Sequence, residues 1–338
     1  MIVQLVGRLL GKRMTRRRRK HGWRLLVTVA LVLPMYGLLV LHSPAAQAEF
    51  PLDLAAVRAL AESLPGDKPL AVRYEQVGAF VFYEAMLVAG DPWRKTPLPI
   101  VAYQLVFPEQ TILIDTGLER ATASHTLMLP QFNDAASAKV RAAMDAAAQI
   151  VITHEHEDHI GSITTAPNLA ALKPKLRLTA EQFANRAGMK PAVLPLAPLA
   201  DYTPLHYDAR YALAPGVVLI KSPGHSPGSQ MVYVRLADGR ELLFIGDIST
   251  RLRNIELERE RPWFMTVVIG EDRKAVLAEL KTLHQLMQTN PEIAIIPSHD
   301  GAVLKMRTDA GLLVAGFLPP PAPLTGPPAA DDLAPDQR

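Results

Sequence analysis

The chain contains no cysteine at any of its 338 positions. That excludes disulfide bridges, a thiol nucleophile and every thiolate metal ligand. Stability must then come from core packing and bound ions, and any metal site must be built from imidazole and carboxylate. Acidic residues are absent from residues 1–48, which hold nine Lys and Arg (Arg8, Lys12, Arg13, Arg16, Arg17, Arg18, Arg19, Lys20 and Arg24). Without that segment the chain retains 27 basic and 33 acidic residues, a net charge of −6, although the whole has a pI near 9.0. The body therefore lacks the basic excess of a nucleic-acid-binding protein. There is no internal repeat and no Gly-rich phosphate loop. With half of its residues apolar, the chain has ample material for one large core.

Both ends differ from the body. After the run TRRRRKHGWR comes LLVTVALVLPMYGLLVL, residues 25–41, 17 positions without a charge and interrupted by Pro34. Ala46 and Ala48 then form an A-x-A cleavage pattern ahead of Glu49. Residues 1–48 read as a signal peptide or an N-terminal membrane anchor. In either case the clustered positive charge stays in the cytoplasm and the body crosses the membrane. The expected location is the periplasm, or the inner membrane with the domain outside the cytoplasm and attached through residues 25–41. Residues 49–69 read as a lead-in, residues 70–317 as the folded domain, and the Pro-rich residues 318–338 as a disordered tail.

Within the body, strand and helix patterns alternate. Apolar runs at 77–88, 99–107 and 111–117 read as strands bounded by Pro and Gly. Residues 134–149 have helical spacing at Val140, Met144 and Ala147 and lead into the strand IVIT. TAEQ from Thr179 fits a capping box opening a helix. Residues 216–222 read as a strand and 231–246 as a hairpin turning at Asp238 and Gly239. A helix over about 272–288, a strand over 292–298 and a helix after Gly301 complete the pattern. This order suggests an α/β sandwich, not a doubly wound nucleotide fold.

The stretch VITHEHEDHIGS, residues 151–162, crowds three His, two Glu and one Asp into six positions at the end of a strand. Residues two apart in extended chain point the same way, so His154 and His156 can approach one metal together. Asp158 and His159 lie on the following turn and suit a second metal nearby. Glu155 and Glu157 read as spacers on the opposite face. Imidazole and carboxylate ligands favour zinc, with iron or manganese as alternatives.

THEHEDHIGS resembles the H-x-H-x-D-H signature of the metallo-β-lactamase fold hydrolases. Further similarities follow in the family's order: LIDTG at 113–117, SPGHSPGS at 222–229, FIGDIS at 244–249 and IPSHD at 296–300. The resemblance spans residues 70–315 and implies a four-layer αβ/βα sandwich of the metallo-β-lactamase type. It also implies that His154, His156 and His225 hold one divalent metal ion, that Asp158, His159 and His299 hold a second, and that Asp247 bridges them. Asp115 would support the histidine loop from behind. A metal-bridging hydroxide would then attack a small ester, lactone or related substrate, with Asp158 orienting the water.

The spacing from His225 to Asp247 is similar to that of the lactonase and organophosphate-hydrolase-like branch. Three positions after the bridging Asp, where the lactonases carry tyrosine, this chain has Thr250. β-Lactamase-like or thioesterase activity at the same site is an alternative, as is a non-catalytic, metal-stabilised envelope protein. In the segment 249–265, Trp263 and Phe264 are the candidates for contact with an apolar substrate. The expected partner is a small molecule, with no nucleic acid; the sequence does not fix the oligomeric state.

Overall fold

The structure, a computed structural model, describes residues 16–123 and 131–319. The Pro-rich tail beyond residue 319 lies outside the described residues. The chain enters through helix α1 (Arg16–Tyr36), which runs through Pro34 and widens into a π-turn at Gly37–Leu41. The expected break at Pro34 is thus absorbed: proline removes one backbone donor, and the helix loosens its register one turn later instead of ending. Residues Trp23–Leu41 form a 19-residue apolar stretch with mean hydropathy 2.1, of which only 6% is buried.

The lead-in carries helix α2 (Leu54–Ala61), capped by the Asp53 side chain accepting from the Ala56 amide. Strands β1 (Ala71–Tyr83), β2 (Lys95–Val106), β3 (Thr111–Ile114) and β4 (Gln131–Phe132) follow, then helix α3 (Asp134–Ala146) and strand β5 (Gln149–Val151). The first strand begins earlier than the apolar run and stops at Tyr83. There a single 3-10 turn, Glu84–Met86, takes over, and the buried Glu84 pairs with Arg94 and Arg251. Helices α4 (Glu157–Thr164) and α5 (Ala180–Ala184) lead to strands β6 (Arg210–Ala214), β7 (Val217–Lys221), β8 (Gln230–Arg235) and β9 (Glu241–Phe244). The Thr179–Gln182 capping box is present. Helices α6 (Leu252–Glu256), α7 (Trp263–Ile269) and α8 (Arg273–Thr289), strand β10 (Ile293–Ile296), helix α9 (Gly301–Asp309) and strand β11 (Leu313–Ala315) complete the domain.

Two sheets result. One has the order β11-β1-β2-β3-β5, with β4 also on β1, and the other β10-β9-β8-β7-β6. Alternation along the strands decides what each face meets. Val217, Leu219, Val232 and Val234 face Tyr103, Leu105, Ile112 and Ile114 of the other sheet. Their neighbours Val218, Ile220, Met231 and Tyr233 point outward and are covered by Val57 and Ala61 of α2 and by Val276, Leu280 and Leu283 of α8. On the far side, Ile100, Leu113 and Ile150 are covered by Val140 and Met144 of α3. The layers are helix, sheet, sheet, helix.

Candidate metal centre

Strands β3 and β5 run parallel, as do β9 and β10, while β7 is related to β9 by two antiparallel steps through β8. Hence the C-terminal ends of β7, β9 and β10 share one edge of their sheet. Asp115 follows β3, residues 154–159 follow β5, His225 follows β7, Asp247 follows β9 and His299 follows β10. The fold brings all eight sequence-predicted residues to the seam between the sheets.

Their atoms meet closely. His154, His156 and His225 form one group, Asp158, His159 and His299 another, and His154, His159 and Asp247 a third that links them; within each group the potential ligand atoms lie within 4.8 Å of one another. Nε2 of His225 is 2.9 Å from Nδ1 of His156. Asp247 faces both groups, with Oδ1 3.1 Å from His299 Nε2 and Oδ2 3.7 Å from His225 Nε2. Asp158 Oδ2 is 3.2 Å from His299 Nε2 and 3.6 Å from His159 Nε2.

Backbone and side-chain acceptors orient the rings. Nδ1 of His159 donates to Asp115 Oδ2 at 2.9 Å, Nδ1 of His225 to Glu271 Oε1 at 2.6 Å, and Nδ1 of His299 to the Pro99 carbonyl at 2.8 Å. In each case Nε2 is left for the centre. Asp115 adopts a left-handed φ of 60° and also accepts from the Thr153 amide at 2.6 Å, fixing the start of the histidine loop.

Nε2 of His154 and Nε2 of His159 are buried with no hydrogen-bond partner among the described residues, and Oδ1 of Asp247, although 3.1 Å from His299 Nε2, makes no aligned hydrogen bond. Buried polar atoms are ordinarily satisfied, so three unsatisfied ligand-type atoms aimed at one space fit a donor set awaiting a cation. Charge is polarised across the cluster. Burial, reinforced by the neighbouring imidazoles, holds His154 well below its ordinary range, and burial takes His156 to about 3. Burial also opposes charge on His299 and on Asp247, but their mutual attraction prevails, raising the first and lowering the second. Asp158 resists its own burial through His159 and His299 and falls to about 2.

Sequence reading missed four contributors. Glu155 is fully buried and is no spacer: it accepts from Asn185 Nδ2 at 2.6 Å, Ser226 Oγ at 2.9 Å and the Gly228 amide at 3.3 Å. The predicted alternation holds, but the opposite face is the packed third-histidine loop, not solvent. Glu157 is no spacer either, because α4 begins there and turns it into the cleft, where burial raises it to about 7. Glu271 orients His225 and accepts from Arg261 Nη1 at 2.6 Å, while Arg261 Nη2 donates to the Asp247 carbonyl at 2.8 Å and Thr250 Oγ1 at 2.6 Å. Gly270, with φ of 86°, ends α7 immediately before Glu271, and that Gly was the available signal.

A cleft of about 870 Å³ opens over Asp158, Asp247 and His299. Its walls are apolar, formed by Phe80, Phe82, Leu98, Met265, Val268 and Ile269. Trp263 and Phe264, the aromatic candidates for this wall, do not line it. The short helix α7 presents Met265, Val268 and Ile269 to the cleft in their place.

Residues 96–299 match the family model described as the metallo-beta-lactamase superfamily. The chain is 25% identical over 227 residues to an N-acyl homoserine lactonase of Bacillus thuringiensis, covering 63% of this chain and 85% of that one. It is 25% identical over 229 residues to a probable metallo-hydrolase of Bacillus subtilis (strain 168), covering 64% and 93%. A solved N-acyl homoserine lactone hydrolase with N-hexanoyl-L-homoserine bound at its catalytic metal centre superposes with a TM-score of 0.55 at 20% identity, covering 71% of this chain and 96% of that one. A hydrolase of the beta lactamase superfamily gives 0.50 at 15% identity, covering 71% and 92%.

Proposed function

This chain belongs to the metallo-β-lactamase superfamily of metal-dependent hydrolases, and from that premise we propose that it is an exported dinuclear enzyme opening a small lactone or ester that carries an apolar chain. One observation carries the reading: unsatisfied ligand atoms from both sheets converge beneath an apolar cleft. His154, His156 and His225 would hold one divalent ion, Asp158, His159 and His299 the other, and Asp247 both, with zinc the first choice and iron or manganese the alternatives. Ions bound there would supply Lewis acidity toward a carbonyl oxygen and lower the pKa of water.

The protein's own residues do the rest. Asp158, ionised at neutral pH and at the cleft floor, can accept a hydrogen bond from the attacking water and so aim its lone pair. Water adds to the carbonyl carbon, the acyl C–O bond breaks, and the alcohol leaves with the proton. Arg261 acts through Asp247, whose carbonyl it holds while Glu271 fixes the guanidinium. Phe80, Leu98 and Ile269 exclude water from the apolar part of the substrate. The N-acyl homoserine lactonase relatives support a lactone as the first substrate to test. Thr250, bonded by Arg261, stands where the resemblance leads one to expect tyrosine, so the contact that residue would make is absent.

The test is metal analysis of the purified chain with a panel of lactones, aryl esters, thioesters, phosphotriesters and a β-lactam. Two ions per chain and chelator-sensitive turnover are expected, reduced at least about 100-fold in Asp247→Ala (about 2.7 kcal/mol). A folded, metal-free chain inert to the whole panel would overturn the proposal.

A further inference from the structure

The apolar stretch Trp23–Leu41 is not a detached appendage in this fold. Its last five residues, Gly37–Leu41, pack against α7, the helix whose Met265, Val268 and Ile269 wall the cleft. Trp93 Nε1 donates to the Tyr36 hydroxyl at 2.7 Å, and the Glu260 amide donates to Ser43 Oγ at 3.3 Å. At 1.5 Å per residue the 19 residues extend about 28 Å, close to the hydrocarbon thickness of a bilayer.

Beside that junction α7 exposes Val267 by 66% and Val268 by 74%, with Trp263 next to them at 36%. Of the seven residues of α7 only Thr266 is buried, so the two adjacent valines belong to an apolar helix left largely uncovered by the domain. Trp93, bonded to Tyr36 at the end of the span, brings with it groups that favour a membrane–water interface. Tyr83 and Trp93 pack edge to face with centroids 5.7 Å apart, Lys95 lies 5.9 Å from the Tyr83 ring centroid, and the Arg94 side chain is 74% exposed. An apolar helical face embedded to interfacial depth, about 5–10 Å, fits the one to two turns by which the domain overlaps the span.

We infer that α7 rests in the outer surface of the bilayer crossed by Trp23–Leu41, so that the cleft opens at the lipid interface and receives an apolar substrate from the membrane. The occupant of the exposed face is the bilayer itself, brought there by the covalently continuous span. The supply of substrate from lipid rests on the hydrolase reading above; the placement of α7 does not.

The absence of native cysteine makes site-directed spin labelling direct. Val267→Cys and Asp238→Cys are made in the full chain, labelled and reconstituted in vesicles of phosphatidylethanolamine and phosphatidylglycerol. Asp238 sits at the exposed β8–β9 turn, on the opposite edge of the sheet from Asp247. The oxygen-to-nickel accessibility ratio should be several-fold higher at 267 than at 238, and the two should converge in a variant lacking residues 1–48. Equal ratios in vesicles would overturn the placement. So would a mature chain that begins at Glu49 and is recovered free of membranes. Turnover of a short-chain, water-soluble substrate in detergent is measured separately, so failure of the hydrolase reading and failure of the membrane placement give different results.

Discussion

At the scale of single residues, the centre depends on carboxylates that sequence reasoning assigned unevenly. Asp115 was legible because a strand-end Asp in LIDTG has a reason to be there, and it fixes both Thr153 and His159. Glu155 was not, because alternation tells which way a side chain points and not what waits on that side. It joins the histidine loop to the loop carrying His225, and Gly228 is required at its partner position: a Cβ there would fall 2.4 Å from Glu155 Oε2. Replacing Glu155 by alanine strands the buried Gly228 amide, whereas the half-buried Asn185 side chain can turn to solvent and the Ser226 hydroxyl keeps Ser229 Oγ at 2.9 Å. A donor stranded in the interior costs about 1–3 kcal/mol. Glu155→Ala should therefore lower the unfolding free energy of the metal-free protein by about 1–3 kcal/mol. Glu155→Gln, which keeps one acceptor oxygen, should lose less. Urea midpoints of the three proteins decide; an unchanged midpoint for Glu155→Ala would remove Glu155 from the account.

At the scale of elements, strong periodicity was readable and short or irregular pieces were not. The Asp272 cap and the apolar stripe at Val276, Leu280 and Leu283 define α8 nearly to the residue. Helix α2 escaped because one Leu, Val and Ala stripe over eight residues carries little signal until Val57 and Ala61 are seen to cover the second sheet. The face that α7 turns to the cleft was likewise illegible, since a seven-residue helix flanked by Pro262 and Gly270 has no periodicity to fix its rotation. Within α8, Glu279 interrupts the apolar stripe and is buried, with neither oxygen paired among the described residues. Its Oε2 lies where a Cβ on Gly224 would come within 2.7 Å, so the carboxyl packs directly behind the His225 loop. Burial, with Glu271 and Asp272 nearby, raises it well above its ordinary 4.5. The folded state therefore holds a proton that the unfolded chain releases above about pH 4.5. The stability this contributes is fully present below that pH and is lost as pH rises toward the folded value. Within that window the slope approaches about 1.4 kcal/mol per pH unit. The difference in stability between Glu279→Gln and the parent should accordingly widen in the variant's favour from pH 4.5 to 7. Thermal unfolding at stepped pH tests this, and parallel curves would refute it.

At the scale of the whole molecule, the centre joins the two halves of the sandwich at one edge. Asp115 and residues 154–159 extend from the first sheet, and His225, Asp247 and His299 from the second. The interior seam is apolar and needs no ion: Tyr103 packs at a tilt against Phe244 across it, with centroids 4.7 Å apart and ring planes inclined at 58°. The edge is different, because it presents five imidazoles and two carboxylates with unsatisfied atoms facing each other. Without cysteine no disulfide ties the sheets together, and bound ions would add to the charge pairs that already cross this edge, such as Asp158 with His299. Since such a site forms only in the folded chain, ions bound there stabilise the whole domain by mass action, by about 2.7 kcal/mol when free metal is 100 times the dissociation constant. Stripping metal with a chelator should lower the unfolding temperature by several degrees while leaving the far-ultraviolet circular dichroism at low temperature unchanged, because the core between the sheets remains packed. Adding back two equivalents of zinc or manganese should restore the transition, with saturation at two. Asp247→Ala should show a smaller shift, since the residue that faces both clusters is gone and the remaining ligands of each would bind separately. Calorimetry across a metal titration distinguishes the outcomes. An unfolding temperature indifferent to chelator and to added metal would mean that the unsatisfied atoms at this edge are not filled by ions, and the dinuclear reading would fall with it.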